Sequence, residues 1–424
     1  MYRDKLLYGL MATAALFAGC SDDFSDISNA PKNPVAEGDE ILFGAANLNT
    51  FDEGFTDGTN KNGRTAYGDA WFESTDPGDP TKGKWHYPLK WVYGDSISVY
   101  SPQASFPNSD FKYADYEIAW AGGTDGAVAD TNTIAYLVRT GENGLHWGDV
   151  HEEHTFYAFY PSKVIKDDDS FNNGVVDGYI PKYQQMVKWE KKTEQDENGT
   201  SYTHWVGTPD MHLAFMRAEK KVKPDTIAEG SPLALDFKPL TTAVEVTLEA
   251  KEDMASAEVQ MIHVRGLNKN KTQKQCIAGN FTYDIDQGKT TYLNQDIAND
   301  YEISVPLWAS VDGGNPAPIS LKANDKVTFT VFLLPAEHST ADGSGVSRDL
   351  TNLQLEVIGF DGNSQIKTYE EVMIPQGTKS QVVLPKYEPK AGSLNNWMSR
   401  IPDNVYISQL TIPGASDAYS GEMG

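Results

Sequence analysis

The sequence predicts an all-β protein, and three observations carry that expectation. Short runs alternate apolar and polar residues with the two-residue period of a strand, as in "TTAVEVTLEA" (241–250). Turn-forming residues break up those runs, with 36 glycines and 22 prolines among 424 residues. Between residues 41 and 386, no long stretch repeats its apolar residues at helical spacing. The expected packing is as β-sandwiches, because a strand with one apolar face must bury it against a second sheet.

In chain order, the first element is an export signal. Residues 1–19 join Arg3 and Lys5 to an apolar run from Leu6 to Ala18, short of the roughly 20 residues that span a bilayer. "LFAGC", Leu16 to Cys20, resembles the lipobox of bacterial lipoproteins. That resemblance implies that Cys20 is acylated and begins the mature chain, so that lipid holds a soluble body on a membrane. A lipidated Cys20 leaves only Cys276, so no disulfide is expected within the mature chain and the core must hold the fold. Residues 20–40 read as a flexible acidic tether, in which Ser21-Asp22-Asp23 resembles the signal that sends some Gram-negative lipoproteins to the cell surface. The formal net charge of −25 repels phosphate backbones, so no nucleic-acid partner is expected.

Two β regions follow, residues 41–232 and 233–386. The boundary is placed in "IAEGSPLALDF" (227–237), where aromatic usage drops: seven of the nine tryptophans, Trp71 through Trp205, precede it. Strands are expected at "SISVYS" (96–101) and "HTFYAFYP" (154–161). In residues 241–250, Val244, Val246 and Leu248 should face the core, with Glu245, Thr247 and Glu249 on a wet face. In "KVTFTVFLLP" (326–335), Val327, Phe329, Val331 and Leu333 line one face while Phe332 and Leu334 make the other apolar, which predicts a central strand. "EKKTEQDENGTSYTH" (190–204) is polar enough to read as a long hairpin loop, and "KYEPKAGSL" (386–394) reads as a second boundary.

Several of these pieces, taken in order, resemble fimbrillin-like proteins of Gram-negative anaerobes. They are "GRTAYGDAWF" (63–72), "WVYGDSISVYSP" (91–102), "TFYAFYPS" (155–162), "DMHLAF" (210–215), "LDFKPLTTAVEVTL" (235–248), "IAGNFTYD" (277–284) and "FTVFLLP" (329–335). The resemblance spans roughly residues 41–386. It implies two β-sandwich domains in an outer-membrane surface lipoprotein with an adhesive or structural role, such as a fimbrial tip, accessory or stalk protein. In polymerising members a protease cuts after an arginine near the N-terminus, and the vacated groove accepts a neighbour's strand. Arg64 in "GRTAYG" sits where that cut would fall. Implied partners are the membrane through the lipid on Cys20, fimbrial subunits by strand addition, and a protein or glycan ligand.

Candidate chemistry within residues 41–386 is sparse. "LHWGDVHEEH" gathers His146, His151 and His154 with Asp149, Glu152 and Glu153, all possible zinc ligands. The spacing is not HExxH, and the segment runs into a strand that would point His151 and His154 to opposite faces, so a solvated turn is expected. Asp167-Asp168-Asp169 lacks the alternating ligands and glycine of a calcium loop and reads as a turn. The tryptophans are read as core rather than as sugar-stacking platforms. No nucleophile elbow, phosphate loop or catalytic carboxylate pair is evident, and no metal or cofactor is expected.

The last segment, residues 387–424, reads as a linker followed by a short helix-strand stub. "WMSRIPDNVYISQLTIPGASDAYSG" (397–421) resembles the start of the X domain of phosphatidylinositol-specific phospholipase C. In that family a histidine in an "IPGTHD" motif is the general base. Here Ser416 stands at that position, Ala415 replaces the threonine and Asp417 is retained. A hydroxyl cannot act as that base at neutral pH, and a barrel of this kind needs on the order of 200 residues or more. The expectation is therefore a non-catalytic surface lipoprotein. The alternatives are a truncated form of a lipid-anchored phospholipase C, or a polymerising pilus subunit.

Overall fold

The computed structural model describes residues 34–45, 49–56, 71–74, 83–89, 91, 94–105, 112–120, 135–162, 175–267, 271, 274–284, 289–292, 300–310, 315–335, 337–339, 346–348, 351–372 and 378–387. Among the described residues the regular structure is almost entirely β-sheet, with three-residue 3-10 turns at Met211–Leu213 and Pro224–Thr226. The all-β expectation holds. Among the described residues no helix is long and apolar enough to cross a membrane.

The first sheet has eight strands. Their order is Leu233–Leu235, Phe43–Ala45, Ala135–Arg139, Tyr113–Trp120, Ser96–Tyr100, His154–Tyr160, Met216–Val222 and Lys238–Pro239. The two edge strands, Leu233–Leu235 and Lys238–Pro239, are separated by only two residues of chain. Three Cα steps reach no more than about 11 Å, so the sheet must roll until its edges nearly meet. Alternate residues then fill the inside of the roll: Phe43, Ile97, Val99, Tyr116, Phe156 and Ala158 are all almost fully buried. Edge-to-face ring contacts knit that interior, with centroids 5.1 Å apart for Phe43 and Tyr116 and 5.5 Å for Phe43 and Phe156.

The second eight-stranded sheet runs Lys188–Gln195, Ser201–Thr208, Lys326–Leu333, Thr242–Glu249, Thr378–Val383, Asn49–Thr56, Gly83–Leu89 and Trp71–Ser74. The strand Lys326–Leu333 is central as its sequence predicts, and Val327, Phe329, Val331, Phe332 and Leu333 are buried. The stretch expected as a loop at 190–204 is a regular hairpin instead, paired over all eight positions of its strands. Its outer strand is an edge of the sheet, and its charges guard that edge against further pairing.

A third sheet runs Trp308–Ala309, Ala317–Leu321, Ala257–Leu267, Thr351–Gly359 and Ser364–Val372, with Glu302–Pro306 pairing beside Ala257–Leu267. One face carries Ile262, Val264, Ile303, Val305, Leu355 and Val357, all buried, and they join the core cluster that contains the second sheet's Val244, Val246 and Leu248. Two smaller sheets complete the fold: Lys289–Tyr292, Gly279–Asp284 and Val175–Ile180, and the pair Glu337–Ser339 and Val346–Arg348.

Hydrogen bonding runs across residue 232, where the sequence suggests a boundary. Leu233–Leu235 lies parallel to Phe43–Ala45, Ser201–Thr208 pairs with Lys326–Leu333, Val175–Ile180 pairs with Gly279–Asp284, and Asn49–Thr56 lies parallel to Thr378–Val383.

The expected wet face of Thr242–Glu249 needs correction at Glu245. That carboxylate is buried and takes hydrogen bonds from Lys379 Nζ at 2.7 Å and Gln381 Nε2 at 2.9 Å. Both partners project from the parallel neighbour strand, which a two-residue alternation cannot anticipate.

Candidate functional site

The strands Phe43–Ala45 and Asn49–Thr56 hold inner positions in the two large sheets. Phe43–Ala45 lies inside the first sheet, parallel to Leu233–Leu235 and antiparallel to Ala135–Arg139. Asn49–Thr56 lies inside the second, parallel to Thr378–Val383 and antiparallel to Gly83–Leu89. Two strands close together in the sequence, Phe43–Ala45 and Asn49–Thr56, therefore complete both large sheets. Ile41, Phe43 and Ala45 are at most 1% exposed, so the first of these strands is held by burial as well as by ladder hydrogen bonds.

The histidine-rich loop seats this segment. Gly38 N–H donates to the Trp147 carbonyl (2.8 Å), Trp147 N–H to the Asp39 carbonyl (2.9 Å) and Ile41 N–H to the Leu145 carbonyl (2.8 Å). The His146 ring Nδ1 donates to the Gly38 carbonyl at 2.8 Å. Glu40, on the same segment, pairs with Arg139. Gly148 is required where the loop turns, because a Cβ there would stand 2.2 Å from the Gln103 carbonyl oxygen.

The solvated turn expected here is only half right. His151 is exposed, but His154 is completely buried, its ring 5.2 Å from that of Trp147 and 6.0 Å from that of Phe156. Its Nε2 donates to the Asp149 carbonyl at 3.1 Å, and its Nδ1 has no hydrogen-bond partner. Burial lowers its pKa below the usual histidine value, against the raising effects of the Asp149 hydrogen bond and the Glu152 and Asp149 charges. The histidines do not converge: among the described residues no group of three or more His, Cys, Asp or Glu side chains is placed to hold a metal ion.

A second polar cluster, missed by sequence reasoning, lies on the third sheet. Arg265 donates Nε–H to Glu302 at 2.5 Å and an Nη2 hydrogen to Glu356 at 2.7 Å. His263 Nδ1 lies 2.9 Å from Ser304 Oγ and 3.3 Å from Glu302 Oε1. Serine, histidine and carboxylate in contact invite comparison with a hydrolytic triad. The geometry differs, because hydroxyl and carboxylate meet the same ring nitrogen whereas a triad places them on opposite ones. His263 and Ser304 are at most 1% exposed. The cluster is a cross-strand brace: His263 registers with both Ser304 and Glu356, and Arg265 with both Glu302 and Gln354. Arg265 favours ionised Glu356, whose pKa is lowered although burial opposes this.

Trp91, Trp147 and Trp205 are core, at most 5% exposed, whereas Trp189 and Trp308 are half-buried, Trp189 packing against the core from its margin. Cys276 is buried too. Cys20, Arg64, Asp167-Asp168-Asp169, Ser416 and Asp417 lie outside the described residues, as does the whole segment 388–424.

No family model and no curated protein matches the chain. Solved structures give partial likenesses. A candidate cell adhesion protein from Bacteroides ovatus is 12% identical, with 82% of this chain and 93% of that one covered at a TM-score of 0.38. A candidate cell adhesion protein from Bacteroides fragilis is 12% identical, covering 81% and 92% at 0.36. The fimbrial anchor protein Mfa2 from Porphyromonas gingivalis is 11% identical, covering 78% and 83% at 0.23.

Proposed function

We propose that the chain is a fimbrillin-type surface protein, held at a bacterial outer membrane by lipid on Cys20, with an adhesive or structural role and no catalytic one. The observation that carries this reading is the seating of the N-terminal strands. Phe43–Ala45 and Asn49–Thr56 occupy inner positions in both large sheets, and both precede Arg64. A cut after Arg64 would separate them covalently from everything they pair with. Their departure would vacate two inner slots lined by ladder N–H and C=O groups, which is what strand addition by another chain requires. The same observation favours an assembling subunit over a solitary one. The two domains of this reading are residues 41–232 and 233–386, linked by the pairings that cross residue 232. To residues 387–424, with Ser416 in place of the base histidine, we assign no reaction.

The test uses the full chain in a Gram-negative anaerobe. Membrane-impermeant biotin should label the wild type on intact cells, and C20A should move the protein to the soluble fraction. Loss of the gene should reduce adherence or alter fimbriae. Unlabelled protein together with unchanged adherence and fimbriae would remove the reading. Digestion of the purified chain with an arginine-specific protease addresses the Arg64 step separately. A cut at Arg64 followed by multimers on size exclusion supports strand exchange, whereas cut chains that stay monomeric exclude it.

A further inference from the structure

We infer that the loop 145–154 is an acid-sensitive latch on the N-terminal strand segment, with His154 as its sensor. The argument starts from hydrogen-bond inventory. Donation from Nε2 to the Asp149 carbonyl fixes the neutral tautomer and leaves Nδ1 a bare, buried acceptor. A second proton would convert Nδ1 into a buried donor facing no acceptor, carrying charge into an aromatic pocket of Trp147 and Phe156. The charged groups that act on this ring are Asp149 and Glu152, and burial outweighs their attraction.

The cost is relieved if the loop lifts and lets water reach the ring. Trp147 couples that movement to the N-terminal segment. Its indole packs on His154, while its backbone exchanges hydrogen bonds with Gly38 and Asp39. The neighbouring Leu145 carbonyl holds Ile41, two residues before the strand Phe43–Ala45. His146, beside Glu40 on the clasped segment, donates from Nδ1 to Gly38 and keeps that bond in either charge state. His154 is therefore the histidine of this loop whose protonation opposes closure.

The sign follows from linkage. The open loop takes up a proton at the ordinary histidine value near 6.5 and the closed loop only at lower pH, so closure is fully favoured above about 6.5 and weakens as pH falls below it. The open fraction should rise by up to about tenfold per pH unit until the closed-state value is reached. The latch stands whether or not Arg64 is cut; only its use in releasing strands rests on the proposed function.

Hydrogen exchange of the purified chain at pH 7.5 and 5.5, corrected for intrinsic pH dependence, is the test. Peptides covering residues 35–45 and 145–149 should open more at pH 5.5, while Thr242–Glu249 stays protected. H154F, with a ring that cannot titrate, should abolish the acid response, and H151N at the exposed histidine should leave it intact. H154Q serves the same purpose if H154F folds poorly, as judged by circular dichroism. An absent segment-specific response, its survival in the His154 variants, or its loss in H151N would each overturn the latch.

Discussion

Replacing Lys379 by methionine is expected to destabilise the protein by about 3–5 kcal/mol. Lys379 and Glu245 are both buried and meet at 2.7 Å on neighbouring parallel strands. Methionine fills much the same volume but leaves the Glu245 carboxylate with only its hydrogen bond from Gln381. A buried charge without its counter-ion costs far more than the pair contributes when both members are present. The double variant K379M/E245Q should recover most of the loss, since a neutral amide can still accept from Gln381. Urea unfolding followed by tryptophan fluorescence reads both effects as shifts in midpoint. A single-variant loss below about 1 kcal/mol would mean that water already screens the pair. A double variant no better than K379M would mean that packing, not charge, is what methionine disturbs.

The location of this pair gives it more than local interest. Thr378–Val383 runs parallel to Thr242–Glu249 on one side and to Asn49–Thr56 on the other. An ion pair with one correct register fixes where that strand sits, because a one-residue slip would turn Lys379 away from Glu245. The strand is thereby held as a defined bed for the N-terminal strand, whatever occupies that position.

How far the fold could be read from sequence depends on what each residue's signal reports. Alternation reports one strand at a time, so the apolar faces of Thr242–Glu249 and Lys326–Leu333 were legible, as was the central place of the second. It says nothing of what covers the opposite face, and Glu245 looked solvated because its partner lies 134 residues away. The composition around His154 is polar, but Trp147 and Phe156 close over the ring once the sheet rolls. Rolling depends on the two-residue link between Leu235 and Lys238, a topological fact with no local signature. The brace of His263, Arg265, Glu302 and Glu356 was illegible for a similar reason: its members come from three strands whose order in the sheet differs from their order in the chain.

Gln184 shows the same limit most sharply, and its replacement by leucine is expected to cost about 2–6 kcal/mol, two buried backbone groups losing their partners at about 1–3 kcal/mol each. A single glutamine between two strands carries no sequence signal. In the structure it is buried, and its amide reproduces the bonding of a strand neighbour: Nε2 donates to the Phe332 carbonyl at 2.7 Å and Oε1 accepts from the Phe332 N–H at 3.0 Å. The reason lies in register. Ser201–Thr208 covers Lys326–Leu333 only at Lys326, Val327 and Thr328, which leaves that edge of the strand open farther on. Gln184 closes it at Phe332, while its own backbone N–H donates to the Ser304 carbonyl at 3.0 Å and ties in the third sheet. In Gln184→Leu, exchange of the Phe332 amide should accelerate more than that of Val331, and the urea midpoint should fall. Gln184→Glu should not rescue, because a carboxylate offers Phe332 no donor and brings a charge into the core. Unchanged Phe332 exchange in the leucine variant would show that the side-chain bridge is dispensable and that another group closes the edge.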